Sequence, residues 1–335
     1  MYAEAAAAPG VVRAQLARNA ATAQLLGKEL RALAPRAAVT CARGSSDHAA
    51  TFAKYLIETR LGILTASAAP SIASVYGARQ DLRDCVFIAI SQSGRSPDLL
   101  ATTRSAVDAG AYVVALVNDE DSPLAGLAAR VLPLSAGPET SVAATKSYLA
   151  SLSALLHLAA SWSDEHELAD ALESAPDLMA RAWELDWSPA LPLLEGAANL
   201  FVIARGVGLA VAQEAALKCK ETCGLHAESF SGAEVRHGPQ ALLGHDFPAL
   251  LLAQRDETRM GLELLGKELV ERGVQVAAAG ANVPGAIALP TVEAHPAVAP
   301  LLLAQSFYKL ANAVALARGM DPDSPPHLQK VTRTH

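Results

Sequence analysis

Residues 85–97 read Cys85-Val86-Phe87-Ile88-Ala89-Ile90-Ser91-Gln92-Ser93-Gly94-Arg95-Ser96-Pro97. The apolar run up to Ile90 is typical of a buried strand. Pro97 fits the first position of a helix, which leaves Ser96 as the N-cap. The turn between the strand and the helix presents serine hydroxyls and free backbone N–H groups, and both kinds of group bind anions. The stretch therefore predicts a strand–turn–helix unit whose turn can hold a phosphate.

The alternation of short apolar strands with helices continues on both sides of this stretch. The predicted strands are Ala37–Cys41, Gly62–Ser67, Cys85–Ile90, Tyr112–Val117, Leu200–Ala204, Ala249–Ala253 and Val274–Ala278. The predicted helices are Ser46–Arg60, Pro97–Ala109, Val142–Trp162, Val207–Cys223, Thr258–Arg272 and Pro296–Ala317. The strands lack polar alternation, which indicates parallel sheets of the α/β class with helices on both faces.

A weak internal repeat indicates that the chain contains two copies of this unit. Ala42-Arg43-Gly44 follows an apolar strand and opens a helix, and Ala204-Arg205-Gly206 does the same 162 residues later. A length of 335 residues also suits two domains of about 100–200 residues. We predict an N-terminal helical segment (1–34), two domains (35–165 and 190–320) joined by a helical connector, and a C-terminal tail (321–335).

Composition excludes several classes of partner. Hydrophobic residues make up 51% of the chain, charged residues make up 18%, and the net charge is −7. The chain has no basic cluster that would follow a nucleic-acid backbone. The N-terminus lacks the basic start of a signal peptide, and polar residues interrupt each long apolar stretch. We therefore expect a cytoplasmic protein that binds neither nucleic acid nor membrane.

A second group of candidate residues lies on the predicted helix Val207–Cys223. Spacings of four and three place Glu214, Lys218 and Glu221 on one helical face. Such a face is usually a solvated salt-bridge stripe. Further carboxylates and imidazoles follow within sixteen residues of Glu221 in a stretch that contains glycines: His226, Glu228, Glu234 and His237. Such a cluster in a glycine-bearing loop indicates an acid–base site.

Metal and nucleotide sites are the competing interpretations. The cluster lacks His-Glu-x-x-His, and the separation of His226 from His237 matches no standard zinc spacing. Cys219 and Cys223 are four residues apart, which favours small side chains on a packed helix over a metal pair. Neither serine loop matches a P-loop, and no Gly-x-Gly-x-x-Gly follows the first strand. We therefore predict no metal and no cofactor.

Three motifs in this order resemble the tandem SIS (sugar isomerase) domains of glucosamine-6-phosphate synthase. They are Ser91-Gln92-Ser93-Gly94, the segment Gly137-Pro138-Glu139-Thr140-Ser141-Val142-Ala143-Ala144-Thr145-Lys146, and Glu221 with the motif that runs from Glu234 to Pro239. The resemblance extends from about Ala37 to Lys330. It implies two flavodoxin-like domains, each with a five-stranded parallel sheet between helices. It also implies a homodimer with its active sites at the interface.

The resemblance assigns roles to individual residues. It implies that two loops hold the sugar phosphate and its hydroxyls, through Gly44, Ser45, Ser46, Ser91, Gln92, Ser93 and Ser96, and that Val142 and Ala144 line the site. Glu221 would move a proton between C1 and C2 of the sugar, with Lys218 near these reacting carbons. His237 would open the sugar ring from the partner chain. Lys330 would cap the open-chain sugar.

The chain departs from the synthase pattern at several places. It has no glutamine-hydrolysing domain before the first sugar domain and no N-terminal cysteine nucleophile. Arg43 replaces a cysteine of that pattern, and Arg95 replaces a glutamate. In the tail, Pro326 and Gln329 replace an arginine and an alanine, which weakens the expectation for Lys330.

These departures favour an isomerising deaminase that converts an amino sugar 6-phosphate, glucosamine 6-phosphate above all, into fructose 6-phosphate and ammonia. Galactosamine 6-phosphate is another candidate substrate. A fructosamine-6-phosphate deglycase is an alternative enzyme, and a pocket near Arg43 and Arg95 that accepts an amino-acid carboxylate would favour it. A non-catalytic sugar-phosphate sensor is the alternative of another class. Such sensors normally carry a DNA-binding module, and residues 1–36 are too short and insufficiently basic for one.

Overall fold

The structure is a computed structural model in which residues 1–330 are described. Its strands are β1 (Ala37–Cys41), β2 (Thr65–Ser67), β3 (Cys85–Ser91), β4 (Tyr112–Val117), β5 (Arg130–Pro133), β6 (Asn199–Ala204), β7 (His226–Ser231), β8 (Ala249–Leu252), β9 (Val276–Ala279) and β10 (Ile287–Leu289). Its α-helices are α1 (Tyr2–Leu33), α2 (Ser45–Leu61), α3 (Ser71–Ser74), α4 (Pro97–Asp108), α5 (Pro123–Leu127), α6 (Lys146–Ser163), α7 (His166–Glu173), α8 (Ala175–Glu184), α9 (Leu191–Gly196), α10 (Leu209–Cys223), α11 (Arg259–Glu271) and α12 (Ala299–Ala317).

The chain divides into two compact units. The first unit contains residues 10–139 and 146–173 together with the described residues from 329 onward. The second unit contains residues 1–9, 140–145 and 174–328. Each unit carries one sheet.

The first unit contains a parallel five-stranded sheet in the order β2-β1-β3-β4-β5. The strand order reverses direction between β1 and β3, and such switch points are where ligands bind in open parallel sheets. Cys41 near the end of β1 pairs with Ala89 of β3. The loops that follow these two strands therefore lie side by side at one edge of the sheet.

The second unit repeats this topology. Its parallel strands have the order β10-β9-β8-β6-β7, which is the first sheet's order read from the opposite edge. Ile203 of β6 pairs with Leu251 of β8, so both partners stand 162 residues after Cys41 and Ala89. The predicted α/β class with two five-stranded parallel sheets is confirmed, and the register supports the predicted repeat.

Continuous apolar segments build both cores. Every residue of β3 is buried, and so is every residue of β8 and β9. A strand that is apolar on both sides requires helices on both of its faces. Helices α6 and α12 are likewise buried along most of their lengths. None of the helices in residues 1–330 combines the length and apolar composition that crossing a membrane requires.

The structure corrects the expectations for two segments. The predicted helix Val142–Trp162 begins only at Lys146, because residues 140–145 form no helix. Residues 226–231, predicted as part of a glycine-bearing loop, form strand β7. This strand lies at the edge of its sheet and pairs only with β6, which explains how it tolerates polar residues. Of the predicted tail, residues 331–335 lie outside the described part of the chain, and residues 321–330 form neither helix nor strand.

Candidate functional site

The first serine loop follows β1 and leads into α2. Gly44 adopts a left-handed backbone with φ of 56°, which allows the chain to turn sharply before Ser45. The Gly44 carbonyl accepts a hydrogen bond of 2.9 Å from the Asp47 amide, which starts the helix. Ser45 is buried and Ser46 is half-buried. The loop thus places two hydroxyl groups at the N-terminus of a 17-residue helix, where the helix dipole favours anions.

The second serine loop follows β3 and leads into α4. The Ser91 hydroxyl accepts a hydrogen bond of 3.0 Å from the Gly94 amide, which folds the loop back on itself. Gly94 has φ of 64°, and a Cβ atom at this position would overlap the hydroxyl of Ser122. Within residues 1–330, the side chains of Gln92 and Ser96 make no hydrogen bond. Their polar groups are therefore available to a ligand.

Two arginines beside these loops are paired with carboxylates of the chain itself. The Nε and Nη2 atoms of Arg43 both donate to Oδ2 of the buried Asp98, at 2.9 and 2.7 Å. Because Asp98 belongs to the first turn of α4, this pair ties the two serine loops together. Arg95 donates to Asp119 at 2.8 Å and holds the pKa of that carboxyl below its ordinary value. Both guanidinium groups thus have intramolecular partners.

A buried charge cluster lies on α10 in the second unit. Lys218 is fully buried, and its Nζ lies 3.5 Å from Oε1 of Glu214 and also donates to Oε2 of Glu221. Tyr308 of α12 donates to Oε1 of Glu214 at 3.0 Å. The interpretation as a solvated salt-bridge stripe is therefore wrong for Glu214 and Lys218. Burying a cation requires paired carboxylates, and Glu214 and Glu221 supply them for Lys218.

Glu221 differs from Glu214 in its access to solvent. Its side chain is 23% exposed, whereas that of Glu214 is 1% exposed. Only Glu221 can therefore present a carboxylate oxygen to a ligand from this helix while it contacts the buried cation. A carboxylate in that position can accept a proton and return it, and the neighbouring ammonium can stabilise negative charge that forms on a bound molecule.

The remaining residues of the predicted acid–base cluster are scattered. His226 and Glu228 are exposed on β7, and the Nδ1 of His226 is 2.9 Å from Oδ1 of Asn199. Glu234 and His237 are exposed in the short 3-10 helix that follows β7. In residues 1–330, no hydrogen bond or ion pair joins His237 to Glu221. The cluster read from the sequence is thus not a single constellation within the second unit.

Lys330 lies in the first unit and is held by a buried carboxylate. Its Nζ donates to Oε2 of Glu139 at 3.0 Å, and the Glu139 side chain is fully buried. Glu139 also accepts hydrogen bonds from the amide and the hydroxyl of Ser147. Glu139 lies within the second of the three motifs, where no role is predicted for it. Its sequence signal is a lone acidic residue before an apolar helix.

Val142 and Ala144, predicted to line the site, lie in the 140–145 segment of the second unit. They are therefore not in the same unit as the serine loops. The Val142 amide donates to the carbonyl of Asp323 at 3.2 Å. This bond fixes the segment against residues that follow α12.

Two observations concern metal and thiolate chemistry in the described residues. In residues 1–330, no three or more His, Cys, Asp and Glu side chains are grouped so that they could hold a metal ion. Burial raises the pKa of the Cys41 thiol, just before the first serine loop, to about 12, which disfavours a reactive thiolate.

Known proteins resemble this chain over nearly its whole length. The family model described as the SIS domain matches residues 34–161 and 193–288. The glutamine–fructose-6-phosphate aminotransferase (isomerizing) of Aeropyrum pernix is 35% identical over 309 residues, which cover 86% of this chain and 49% of that protein. The corresponding enzyme of Symbiobacterium thermophilum is 33% identical over 91% of this chain and 52% of its own length. The chain thus spans about half the length of the curated relatives that it matches.

Solved structures give a similar result. A proposed phosphosugar isomerase from Silicibacter pomeroyi DSS-3 has a TM-score of 0.93 and 42% identity, and the match covers 96% of this chain and 99% of that one. A glucosamine-6-phosphate deaminase from Thermotoga maritima has a TM-score of 0.75 at 20% identity, with 97% and 100% coverage. At that identity, the second likeness concerns the fold alone.

Proposed function

Because this chain belongs to the SIS domain family, we propose that it is a phosphosugar isomerase that deaminates an amino sugar 6-phosphate. Glucosamine 6-phosphate is the favoured substrate, and fructose 6-phosphate and ammonia are the products. The observation that carries the proposal is the position of Glu221, a partly exposed carboxylate bonded to the buried ammonium of Lys218. This is the arrangement that a reversible proton transfer at carbon requires.

In the proposed reaction the two serine loops hold the phosphate of the open-chain sugar. Glu221 removes the proton from C2 and returns it to C1, which converts the amino aldehyde into a 2-iminium compound through an enolamine. Lys218 stabilises the negative charge that develops on the C1 oxygen. Water then adds to C2, ammonia leaves, and the C2 carbonyl of fructose 6-phosphate forms. One water is consumed for each ammonia released.

Two further groups have proposed roles in handling the sugar. His237 can donate and accept a proton near neutral pH, which suits ring opening. Lys330, held by Glu139, is suited to cap the open-chain sugar through its ammonium group. The described contacts of Lys330 support this role even though Pro326 and Gln329 alter the tail.

The direct test measures ammonia release from glucosamine 6-phosphate by the whole chain. We expect Glu221→Gln to lower the rate about 100-fold or more, because general acid–base catalysis contributes on that scale. Glu228→Gln is the matched control, since it neutralises an exposed carboxylate of β7 outside the buried cluster. The proposal fails if the unmodified chain releases no more ammonia than Glu221→Gln.

Assembly is a second component of the proposal, in which two copies pair and His237 serves the site of its partner. The His237 side chain is exposed and makes no hydrogen bond within residues 1–330 of its own chain. Both observations support this arrangement. Mixing inactive Glu221→Gln and His237→Ala chains should restore activity after subunit exchange, because each mixed dimer then contains one intact site. Absence of recovery despite exchange would contradict the shared site.

The deglycase alternative would require a cation for the carboxylate of an amino-acid leaving group. Arg43 and Arg95 already bind Asp98 and Asp119, so no observation favours that alternative. Adding a fructosamine 6-phosphate of an amino acid to the same assay separates the two substrates, because only the deglycase reaction releases the amino acid. The sensor alternative predicts binding of the sugar phosphate without turnover.

A further inference from the structure

A cavity of about 390 Å³ lies in the second unit at the carboxyl ends of β8, β9 and β10. This volume falls in the range of small-molecule sites, about 300–1,000 Å³, and strand ends are where ligands bind in parallel sheets. None of the residues to which we assign a role in the proposed reaction lines the cavity. Its function is therefore separate from proton transfer at Glu221.

The polar side of the cavity carries an excess of positive charge. Arg255, Arg259 and Glu293 are its charged lining residues. Arg255 is paired with Glu293, while Arg259 uses its Nε to bind Oε1 of Glu263 at 2.8 Å. In residues 1–330, no atom accepts a hydrogen bond from the terminal nitrogens of Arg259. Two guanidinium nitrogens thus remain available for the paired hydrogen bonds that carboxylates and phosphates accept.

Apolar side chains also line the cavity. Leu289, Leu302 and Leu303 line it and are each at most 4% exposed. Leu302 and Leu303 belong to α12, and Leu289 ends β10. A hydrocarbon group would displace water from these side chains favourably.

We propose that this cavity binds a small organic anion with a short hydrocarbon body. Its carboxylate or phosphate group bonds the terminal nitrogens of Arg259, and its hydrocarbon body packs on the three leucines. The cavity is thus a second ligand site, distinct in chemistry from the serine loops, which are predicted to take a hydroxylated phosphosugar.

The test measures binding of hexanoate and hexyl phosphate to the full chain by isothermal titration, with acetate and 1-hexanol as comparison ligands. We expect binding of at least one six-carbon anion and much weaker binding of both comparison ligands, since each lacks one half of the recognised chemistry. Whichever head group binds more tightly identifies the anion that the cavity prefers. The Glu221→Gln chain should bind the same ligand unchanged, which separates this proposal from the proposed reaction.

Two variants of α11 provide a matched comparison. Arg259→Met and Lys267→Met each remove one cation that is paired with a glutamate four residues later, but Lys267 does not line the cavity. Arg259→Met should weaken binding about tenfold or more, the scale of a lost charged hydrogen bond, and Lys267→Met should leave it unchanged. Ala294→Trp, at a half-buried lining position in a loop, should block the cavity. The proposal is overturned if neither six-carbon anion binds, or if Arg259→Met and Lys267→Met bind alike.

Discussion

Two loops at equivalent positions of the two sheets have opposite uses of their polar groups. Residues 91–97 lead from the last residue of β3 into α4, and residues 253–259 lead from the end of β8 into α11 at an offset of 162. In the first loop, Gln92 and Ser96 make no internal hydrogen bond in the described part of the chain. In the second, Gln254 is 1% exposed, and its Nε2 contacts the Arg205 carbonyl and the side chains of Asp256 and Thr258.

The difference shows that a strand–turn–helix unit does not by itself make a ligand site. The strand–turn–helix arrangement is the same in both units, but in the second loop Gln254 and Thr258 donate to groups of the chain itself. Asp256 accepts from the amide and the hydroxyl of Thr258 at 2.9 and 2.5 Å, and so places a carboxylate at the start of α11. What distinguishes the first loop is that Gln92 and Ser96 keep polar groups without internal partners, whereas the side chains of the equivalent Gln254 and Thr258 are bonded within the second loop.

The largest expected effect tests a difference in backbone between the two loops. Gly94 in the first loop corresponds to Asp256 in the second. Gly94→Ala would force a Cβ atom into the Ser122 hydroxyl, and that hydroxyl caps α5 through the Ala125 amide. We expect the free energy of unfolding to fall by about 2–4 kcal/mol, from left-handed strain and the lost cap together. Urea denaturation measures it.

Gly44→Ala is the control for this prediction. Gly44 also has a positive φ, but no atom lies within 4 Å of the position of its Cβ. Gly44→Ala should therefore lower the free energy of unfolding only through backbone strain, by about 1–2 kcal/mol. Equal losses at both glycines would show that crowding against Ser122 does not shape the loop.

The next effect concerns charge beside the loops, where Arg43 corresponds to Arg205. Arg43→Met leaves the buried carboxylate of Asp98 without this cation and next to the phosphate loops. We expect the KM for the sugar phosphate to rise about tenfold, because the Asp98 carboxylate then lacks its Arg43 partner and repels the anion more strongly. Steady-state kinetics measure it.

Arg205→Met removes the equivalent exposed cation of the second unit, and we expect an unchanged KM. Adding Asp98→Asn to Arg43→Met should recover part of the lost affinity, since the repelling charge is then absent. If both arginine variants raise KM alike, the charge beside the first loop does not affect phosphate binding more than the charge beside the second.

A pair of alanine variants separates binding from stability. Ser96→Ala should raise KM about fivefold, the scale of one hydrogen bond of roughly 1 kcal/mol, with little change in unfolding because its hydroxyl caps nothing. Asp256→Ala should lower the free energy of unfolding by about 1–2 kcal/mol through the lost bonds to Thr258, with KM unchanged. The reverse pattern, measured by kinetics and urea denaturation, would contradict the comparison.

The smallest effect concerns Arg95, whose counterpart is the exposed acid Glu257. Arg95 holds the pKa of Asp119 below its ordinary value, so the pair contributes stability above the ordinary aspartate pKa and loses it as pH falls through the lowered value. Arg95→Gln should return the pKa of Asp119 toward normal, as carboxyl-carbon NMR titration can measure. An unchanged pKa would contradict this pairing. Since the pair is exposed, KM should change less than about threefold.

The sheets could be predicted from the sequence because their strands are apolar on both faces. β3 and β8 are short buried runs between helices, and that pattern needs no tertiary information. β7 could not be predicted, because its residues alternate poorly and it becomes a strand only through pairing with β6. Strand propensity does not predict the structure of such an edge segment, because pairing with the neighbouring strand determines it.

The serine loops and the face that carries Glu221 could be predicted because the signals are local. The partners that hold the charged groups are distant in sequence. Lys330 and Glu139 are 191 residues apart, and Tyr308 and Glu214 are 94 residues apart. No local pattern indicates which buried acid meets which donor, so the contacts of Glu139 and Tyr308 are known only from the structure.

The turn at Gly206–Gly208 has a consequence for protein engineering. Gly208 has no side chain, and a Cβ atom there would overlap Oε1 of Gln254, so the amide folds inward over the turn. The Gln254 amide thus covers this turn. Gly208→Ser and Asp256→Gly would introduce the residues found at the equivalent positions of the first unit and push the amide outward. Two substitutions would in this way expose the donors of the turn to a ligand, with every strand left intact.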